Sequence, residues 1–284
     1  MKKAFSLIEL SIVILIIGIL LAGVTQSSRM IKQFRIKTAQ TLTQSSPVAS
    51  IKDLSLWYET SMETSFLAAE TEDTLPLSTW HDINPQSTTK NNAAQETSNN
   101  KPKYYENIFN NALPAIRFDG TSDFMTFDGT ILVGSNYTIF VVEQRRDNDN
   151  ESYLFGGTDS TPAANLHIGY RDTGTITQAH FGSDLNYNIA AYSAPIPRIH
   201  SFMFSASAGK KYWMNGGTTP EASNSSQTTA LISYAGAALG GYRSNGNYYN
   251  GDIAEIIVFT RALKTEERQS VEDYLSKKYA IKLS

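Results

Sequence analysis

The sequence predicts a mainly β protein: a long N-terminal α-helix, able to cross a bilayer and continue beyond it, then a β-sandwich or barrel closed by one C-terminal helix. Three observations predict this. Residues 5–24 carry one charge, Glu9, in an otherwise apolar or small-polar run. From Leu54 onward, short apolar or alternating runs are separated by Gly, Asn, Asp, Ser and Pro clusters, the punctuation of an all-β chain. A sustained helical period returns only near the C-terminus. The 284 residues, 41% of them hydrophobic and 18% charged, can bury the core of one large domain or two small ones. With 24 Lys and Arg against 27 Asp and Glu the net charge is −3, so no basic field exists to attract nucleic acid, and no nucleic-acid partner is expected. The absence of cysteine excludes a disulfide scaffold, a thiolate zinc site, an iron–sulfur cluster and a cysteine nucleophile.

The first element is the membrane segment. Twenty helical residues at 1.5 Å each reach about 30 Å, the thickness of a bilayer core. Lys2 and Lys3 hold its start on the cytoplasmic side. The run is longer than a usual signal-peptide core and continues into helix-compatible sequence with no small-residue cleavage site at its end. Glu9 also has no use in a plain anchor, because a carboxylate at that depth costs roughly 2.5–3.5 kcal/mol and asks for a partner. Beyond it Met30, Ile31, Phe34 and Leu42 permit an amphipathic continuation, with Ile36 and Ala39 blurring the face, and Ser45-Ser46-Pro47 ends it.

Strands follow at Leu54–Tyr58, Ala115–Phe118, Phe124–Phe127, Tyr137–Gln144, Tyr153–Phe155, Leu166–Tyr170, Gln178–Phe181, Ile199–Ser205, Lys211–Met214 and Gly251–Phe259. Asp119-Gly120, Asp128-Gly129 and Asn215-Gly216 supply turns between them. Asn84–Lys101 and Thr218–Thr229, rich in Asn, Ser, Thr and Gln, read as surface loops. The closing helix takes Thr265 as its N-cap, Glu266 and Glu267 at its positive end and Lys277 and Lys278 at its negative end.

Two resemblances bear on function. Lys3-Ala4, then Phe5-Ser6-Leu7-Ile8-Glu9-Leu10 and an apolar helix, resembles the processing site of type IV prepilins and of type II secretion pseudopilins. The resemblance implies cleavage by a prepilin peptidase between Ala4 and Phe5, N-methylation of Phe5, and use of Glu9 in filament assembly. The family usually has Gly before the cut, where this chain has Ala4. Separately, Leu56-Trp57-Tyr58, Trp80-His81-Asp82, Ile116-Arg117-Phe118-Asp119-Gly120, Tyr212-Trp213-Met214-Asn215-Gly216 and Asn250–Phe259, followed by Arg261-Ala262-Leu263 and Glu266-Glu267-Arg268, resemble a laminin-G-like, concanavalin-A-like β-sandwich jelly roll with a C-terminal helix. These resemblances divide the chain into a leader at 1–4, a transmembrane and filament-core helix at 5–46 and a jelly-roll domain at 50–284.

Glycosidases on such a fold need carboxylates alternating along one strand. No strand carries that pattern: Asp252 and Glu255, three apart, are expected on opposite faces, and Glu143 stands alone. Glu255 reads as structural, and His81, His167, His180 and His200 lack metal-ligand spacing. No enzyme and no cofactor are therefore expected. Asp147, Asp149 and Glu151 alternate as Ca²⁺ ligands do, without the glycine and terminal glutamate of an EF-hand, and read first as a hairpin tip. Tyr242, Asn245, Asn247 and Tyr248 combine aromatic faces with amides, a set suited to sugars or to protein surfaces. The expected protein is a minor or tip pilin-like subunit, anchored in the bacterial inner membrane with its bulk periplasmic and then assembled with other pilin or pseudopilin subunits, presenting a lectin-like domain to an extracellular glycan or protein. The alternatives are a pseudopilin engaging secretion substrates and a membrane-tethered carbohydrate-active enzyme.

Overall fold

The computed structural model describes residues 7–243 and 246–284. Helix α1 (Leu7–Gln44) runs 38 residues unbroken, about 57 Å at 1.5 Å per residue. Its most apolar 18-residue window has a mean hydropathy of 2.3 and is wholly unburied, and by length and composition it can cross a membrane. Polar side chains do not break the helix, because Ser27, Thr38, Thr41 and Thr43 return their hydroxyls to carbonyls one turn back.

The domain then unfolds as a run of antiparallel strands. These are β1 (Leu54–Glu59), β2 (Thr79–Trp80), β3 (Ala93–Ala94), β4 (Lys103–Phe109), β5 (Leu113–Asp119), β6 (Met125–Thr126), β7 (Tyr137–Arg145), β8 (Ser152–Gly156) and β9 (His167–Asp172). After them come β10 (Thr175–Ala179), β11 (Asp184–Asn188), β12 (Arg198–Ser205), β13 (Gly209–Met214), β14 (Ala222–Asn224), β15 (Ala238–Leu239), β16 (Gly241–Tyr242), β17 (Asn247–Tyr248) and β18 (Asn250–Phe259), closed by helix α2 (Thr265–Tyr279). One sheet has the order β14-β13-β12-β7-β18-β5-β4, with β1 also on β18; the other has the order β11-β10-β9-β8-β15-β6-β3-β2. The inner core between them includes Tyr58, Trp80, Ile116, Phe118, Val141, Phe202 and Ile256. Trp80 stacks on Tyr58 at 5.1 Å and gives its indole N–H to the Glu59 carbonyl at 2.8 Å.

A second core lies on the outer face of the first sheet, where Trp57, Phe140, Ile257 and Phe259 meet Val271 and Leu275 of α2 and Ala39 of α1. Each such large side chain contributes about 1.5–3 kcal/mol on burial. The last turns of α1 are bound to the domain: Gln40 donates to the Ser61 carbonyl at 2.9 Å, and the hydroxyls of Thr43 and Tyr274 meet at 3.2 Å. The contact runs through Ile36, Ala39, Leu42 and Thr43, while Met30, Ile31 and Phe34 of the expected amphipathic continuation stay 61%, 53% and 75% exposed.

Four further expectations are corrected. The segment 84–101 is not a plain loop: it supplies β3, and Asn84 is buried with its amide on the Leu54 carbonyl at 2.9 Å. Part of 218–229 is likewise β14, an edge strand on β13. Strand β10 starts and ends earlier than Gln178–Phe181, because Phe181 adopts a left-handed φ of 48° and turns the chain. Helix α2 is capped at Lys264, not Thr265, with the Glu267 carboxylate accepting the Lys264 N–H at 2.9 Å.

Candidate functional site

The helix offers one candidate surface. Its apolar exposure runs from Leu10 through Val24 and on to Met30, Ile31 and Phe34 before the docked turns begin. Ala4 and Phe5, on either side of the expected cut, lie outside the described residues. Glu9 falls on the backbone of α1, its side chain also outside what is described.

The sandwich offers a second, on the face of β8 and β9 turned away from the inner core. Gly156 lets the β16–β17 hairpin lie directly on β8: a Cβ there would sit 2.5 Å from the Gly241 carbonyl oxygen and 2.6 Å from the Tyr242 Cα. That contact brings Tyr242 beside Tyr153 and His167. The Tyr242 and His167 rings stack at 6.0 Å and 29°, and Tyr153 meets His167 edge-on at 5.2 Å. Phe181, held in its left-handed turn, closes the group at 5.6 Å from His167. A left-handed φ at a bulky residue is an uncommon, strained arrangement that the surroundings must enforce.

These rings floor a cavity of about 250 Å³. Its rim is polar and braced: Asn247 donates to the Glu151 carboxylate at 2.8 Å, and Arg171 pairs with Asp184. Burial pushes the His167 imidazole down to about 4, outweighing the opposite pull of Asp184 and helped by Arg171 and Lys210, so the ring is neutral at physiological pH. Its Nδ1 is buried without a hydrogen-bond partner, as is Oδ1 of Asp184. Lys210 is pushed down to about 7 by burial, against the pull of Asp184, and donates from Nζ to the Ser183 carbonyl.

Residues chosen separately from the sequence therefore meet. Tyr242 and Asn247 share the cavity with Glu151, which the sequence suggested for a cation instead. Tyr248 falls elsewhere, stacked on Phe124 at 6.4 Å, and Asn245 lies outside the described residues. Asp149 donates its backbone N–H to Asp147 at 3.2 Å. Among the described residues no three His, Asp or Glu side chains gather as a metal-holding group, these included. His167, Arg171, Phe181 and Asp184 were missed; the outward place of His167 in an alternating strand was the one signal available. Larger clefts of about 330, 420, 710 and 800 Å³ exist, and the one of about 800 Å³, along α1, has Phe34, Phe66 and Tyr104 on its wall.

Two polar clusters lie wholly buried. Inside the sandwich, Glu143 accepts hydrogen bonds from Tyr170 at 2.7 Å, His200 at 2.7 Å and Tyr249. Burial alone would raise its carboxyl; the His200 bond and the nearby Arg198 outweigh this and hold it below the usual carboxylate range. Under α2, the Lys278 ammonium lies 2.8 Å from both Glu59 and Glu255, all three closed to solvent. Trp57, Tyr274 and Tyr279 complete the Glu255 carboxylate, each at 2.8 Å. Glu255 is thus structural, as expected. It shares the outer face with Asp252, against expectation, because a bulge at Ala254 inserts one residue between them.

Residues 1–25 match the family described as the prokaryotic N-terminal methylation motif. No curated protein sequence matches the chain. Among solved structures, a Trypanosoma rangeli sialidase in complex with 2,3-difluorosialic acid is similar, with a TM-score of 0.54, 11% identity, and coverage of 81% of this chain and 33% of the sialidase. A mutant GH54 α-L-arabinofuranosidase soaked with 4-nitrophenyl α-L-arabinofuranoside gives 0.54 at 14% identity, over 72% of this chain and 52% of the enzyme. At such identities the likeness is one of fold, and the chain spans about a third to a half of the length of these enzymes. The protein therefore carries a type IV prepilin-like N-terminal segment on a long helix, followed by a β-sandwich of the fold shared with these glycosidases.

Proposed function

We propose that the chain is a non-enzymatic pilin-like subunit, minor or at the tip, of a type IV pilus or secretion-type filament, and that its sandwich binds an extracellular glycan or protein surface. The observation that carries this reading is the methylation motif at residues 1–25 continuing into a helix whose apolar side stays bare as far as Phe34. A plain anchor needs no apolar surface past the bilayer, whereas a filament core does. Before assembly the helix holds the precursor in the inner membrane, with its bulk in the periplasm; afterwards it packs against other subunits. Binding rather than turnover is favoured because Glu143, the carboxylate inside the sandwich, is fully enclosed and already engaged by three side chains.

Mass spectrometry of the N-terminal peptide from sheared filaments tests the reading. The expected chain begins at N-methylated Phe5, with 280 of the 284 residues and a net charge of −5 once Lys2 and Lys3 are gone. A retained Met1 in assembled material, or a cut after Gly23, refutes the prepilin assignment.

A further inference from the structure

We propose that the cavity beside Tyr242 takes a single uncharged sugar ring and excludes acidic sugars. The inference rests on the glycan-binding reading and adds the chemical class of the ligand. At about 250 Å³ the space falls below the range of about 300–1,000 Å³ usual for drug-sized ligands, so it has room for one ring and not for a chain. Its floor is aromatic: Tyr153, His167 and Tyr242 are almost buried, and Phe181 remains partly open to the cavity. That surface suits the C–H face of a pyranose.

The rim supplies acceptors. Ionised carboxylates only accept hydrogen bonds and offer several lone pairs each, so Glu151 and Asp184 match hydroxyl donors that point outward from a sugar ring. Asn247, held by Glu151, lines the same space.

The charge pattern decides against acids. Arg171 is the one guanidinium on the rim, and it already pairs through Nη1 with Asp184 and stands against a second carboxylate, Glu151. A ligand carboxylate would have to share Arg171 with Asp184 and sit beside two like charges, Asp184 and Glu151. His167 is neutral and cannot substitute as a cation. Lys210 cannot either, since it is buried and its Nζ is committed to the Ser183 carbonyl. An uncharged ring meets none of these costs.

The whole chain, purified in detergent micelles, can be tested on a glycan array pairing chains that end in an uncharged hexose or N-acetylhexosamine with the same chains capped by a carboxylate- or sulfate-bearing sugar. The uncharged termini should bind at least about tenfold better, the scale of one charge-assisted hydrogen bond lost. Phe181→Ala and Asn247→Ala should each weaken that binding by about tenfold. Because Phe181 occupies a strained turn, Asn247→Ala keeps the test decisive if the first variant fails to fold. Asp184→Asn, which frees Arg171, should narrow the discrimination between the paired glycans. Preference for the acid-capped chains overturns the inference while leaving the glycan-binding reading in place. Selective binding that neither variant weakens moves the site away from this cavity and also overturns it. Absence of binding to every glycan removes the reading on which it rests.

Discussion

Replacing Lys278 with methionine is expected to destabilise the domain by about 3–5 kcal/mol, the scale measured when one partner is removed from a buried ion pair. Two carboxylates, Glu59 and Glu255, share this one ammonium, at 2.8 Å each, where none of the three side chains reaches solvent. Methionine fills the space of the lysine stem and contributes no charge, so both carboxylates are left facing one another in a low-dielectric interior. At about 2–4 °C per kcal/mol for a domain of this size, the thermal midpoint should fall by roughly 6–20 °C.

The sign of the pH dependence separates this mechanism from a packing defect. In the native chain, burial would raise Glu59, but the Lys278 charge and the hydroxyls of Ser61 and Ser65 hold it below its ordinary value. Burial would lower Lys278, and Glu255 and Glu59 instead raise it. The cluster thus stabilises the fold at neutral pH. The Glu59 contribution is lost as pH falls through its depressed folded value, and the Lys278 contribution as pH rises through its elevated one. Without Lys278 the carboxylates favour protonation, so the deficit of the variant should shrink on moving from pH 8 to pH 5. A deficit of equal size at both pH values would show that lost packing, not charge, is responsible. The triple replacement Glu59→Gln, Lys278→Met, Glu255→Gln should recover much of the stability, since an uncharged set has no ion to desolvate.

The sequence made the long strands legible because burial and period agree there. Every residue of β7 is buried, and it was expected over Tyr137–Gln144; β18 was expected over Gly251–Phe259. Strand β4 escaped notice because it is largely part-exposed, carries Lys103 and Glu106, and breaks register between Tyr105 and Phe109, with Asn107 at a φ of 58°. The bulge at Ala254 left no composition signal at all, yet it alone decides that Asp252 and Glu255 share a face. The candidate site was legible in halves. Tyr242 and Asn247 stood out by residue type, whereas His167, Arg171, Phe181 and Asp184 join them only through the packing of a hairpin on β8, a contact that no local pattern encodes.

Replacing Glu9 with alanine is expected to reduce incorporation into filaments by about tenfold or more while leaving membrane insertion intact or improved. Insertion should not suffer, because the carboxylate costs roughly 2.5–3.5 kcal/mol at helix depth and alanine removes that cost. Assembly is different. The proposed cleavage before Phe5 would create a new amino group four residues before Glu9, and an adjacent subunit is the simplest place for Glu9 to find a cation. Two unit charges about 4 Å apart attract by about 4 kcal/mol at an effective dielectric constant of 20. Desolvation takes back much of this, but a net residue of about 1.4 kcal/mol per contact already amounts to a tenfold change in occupancy. The apolar surface from Leu10 to Phe34 is untouched by the substitution, so any loss belongs to the charge and not to helix packing. The measurement is the ratio of the chain in sheared surface material to that remaining in the membrane fraction. Glu9→Gln, which keeps shape and hydrogen-bonding capacity without charge, should assemble as poorly as the alanine variant if pairing with an amino cation is the role. A ratio unchanged from the native chain in both variants would remove Glu9 from assembly altogether and leave the bare helix face to account for it.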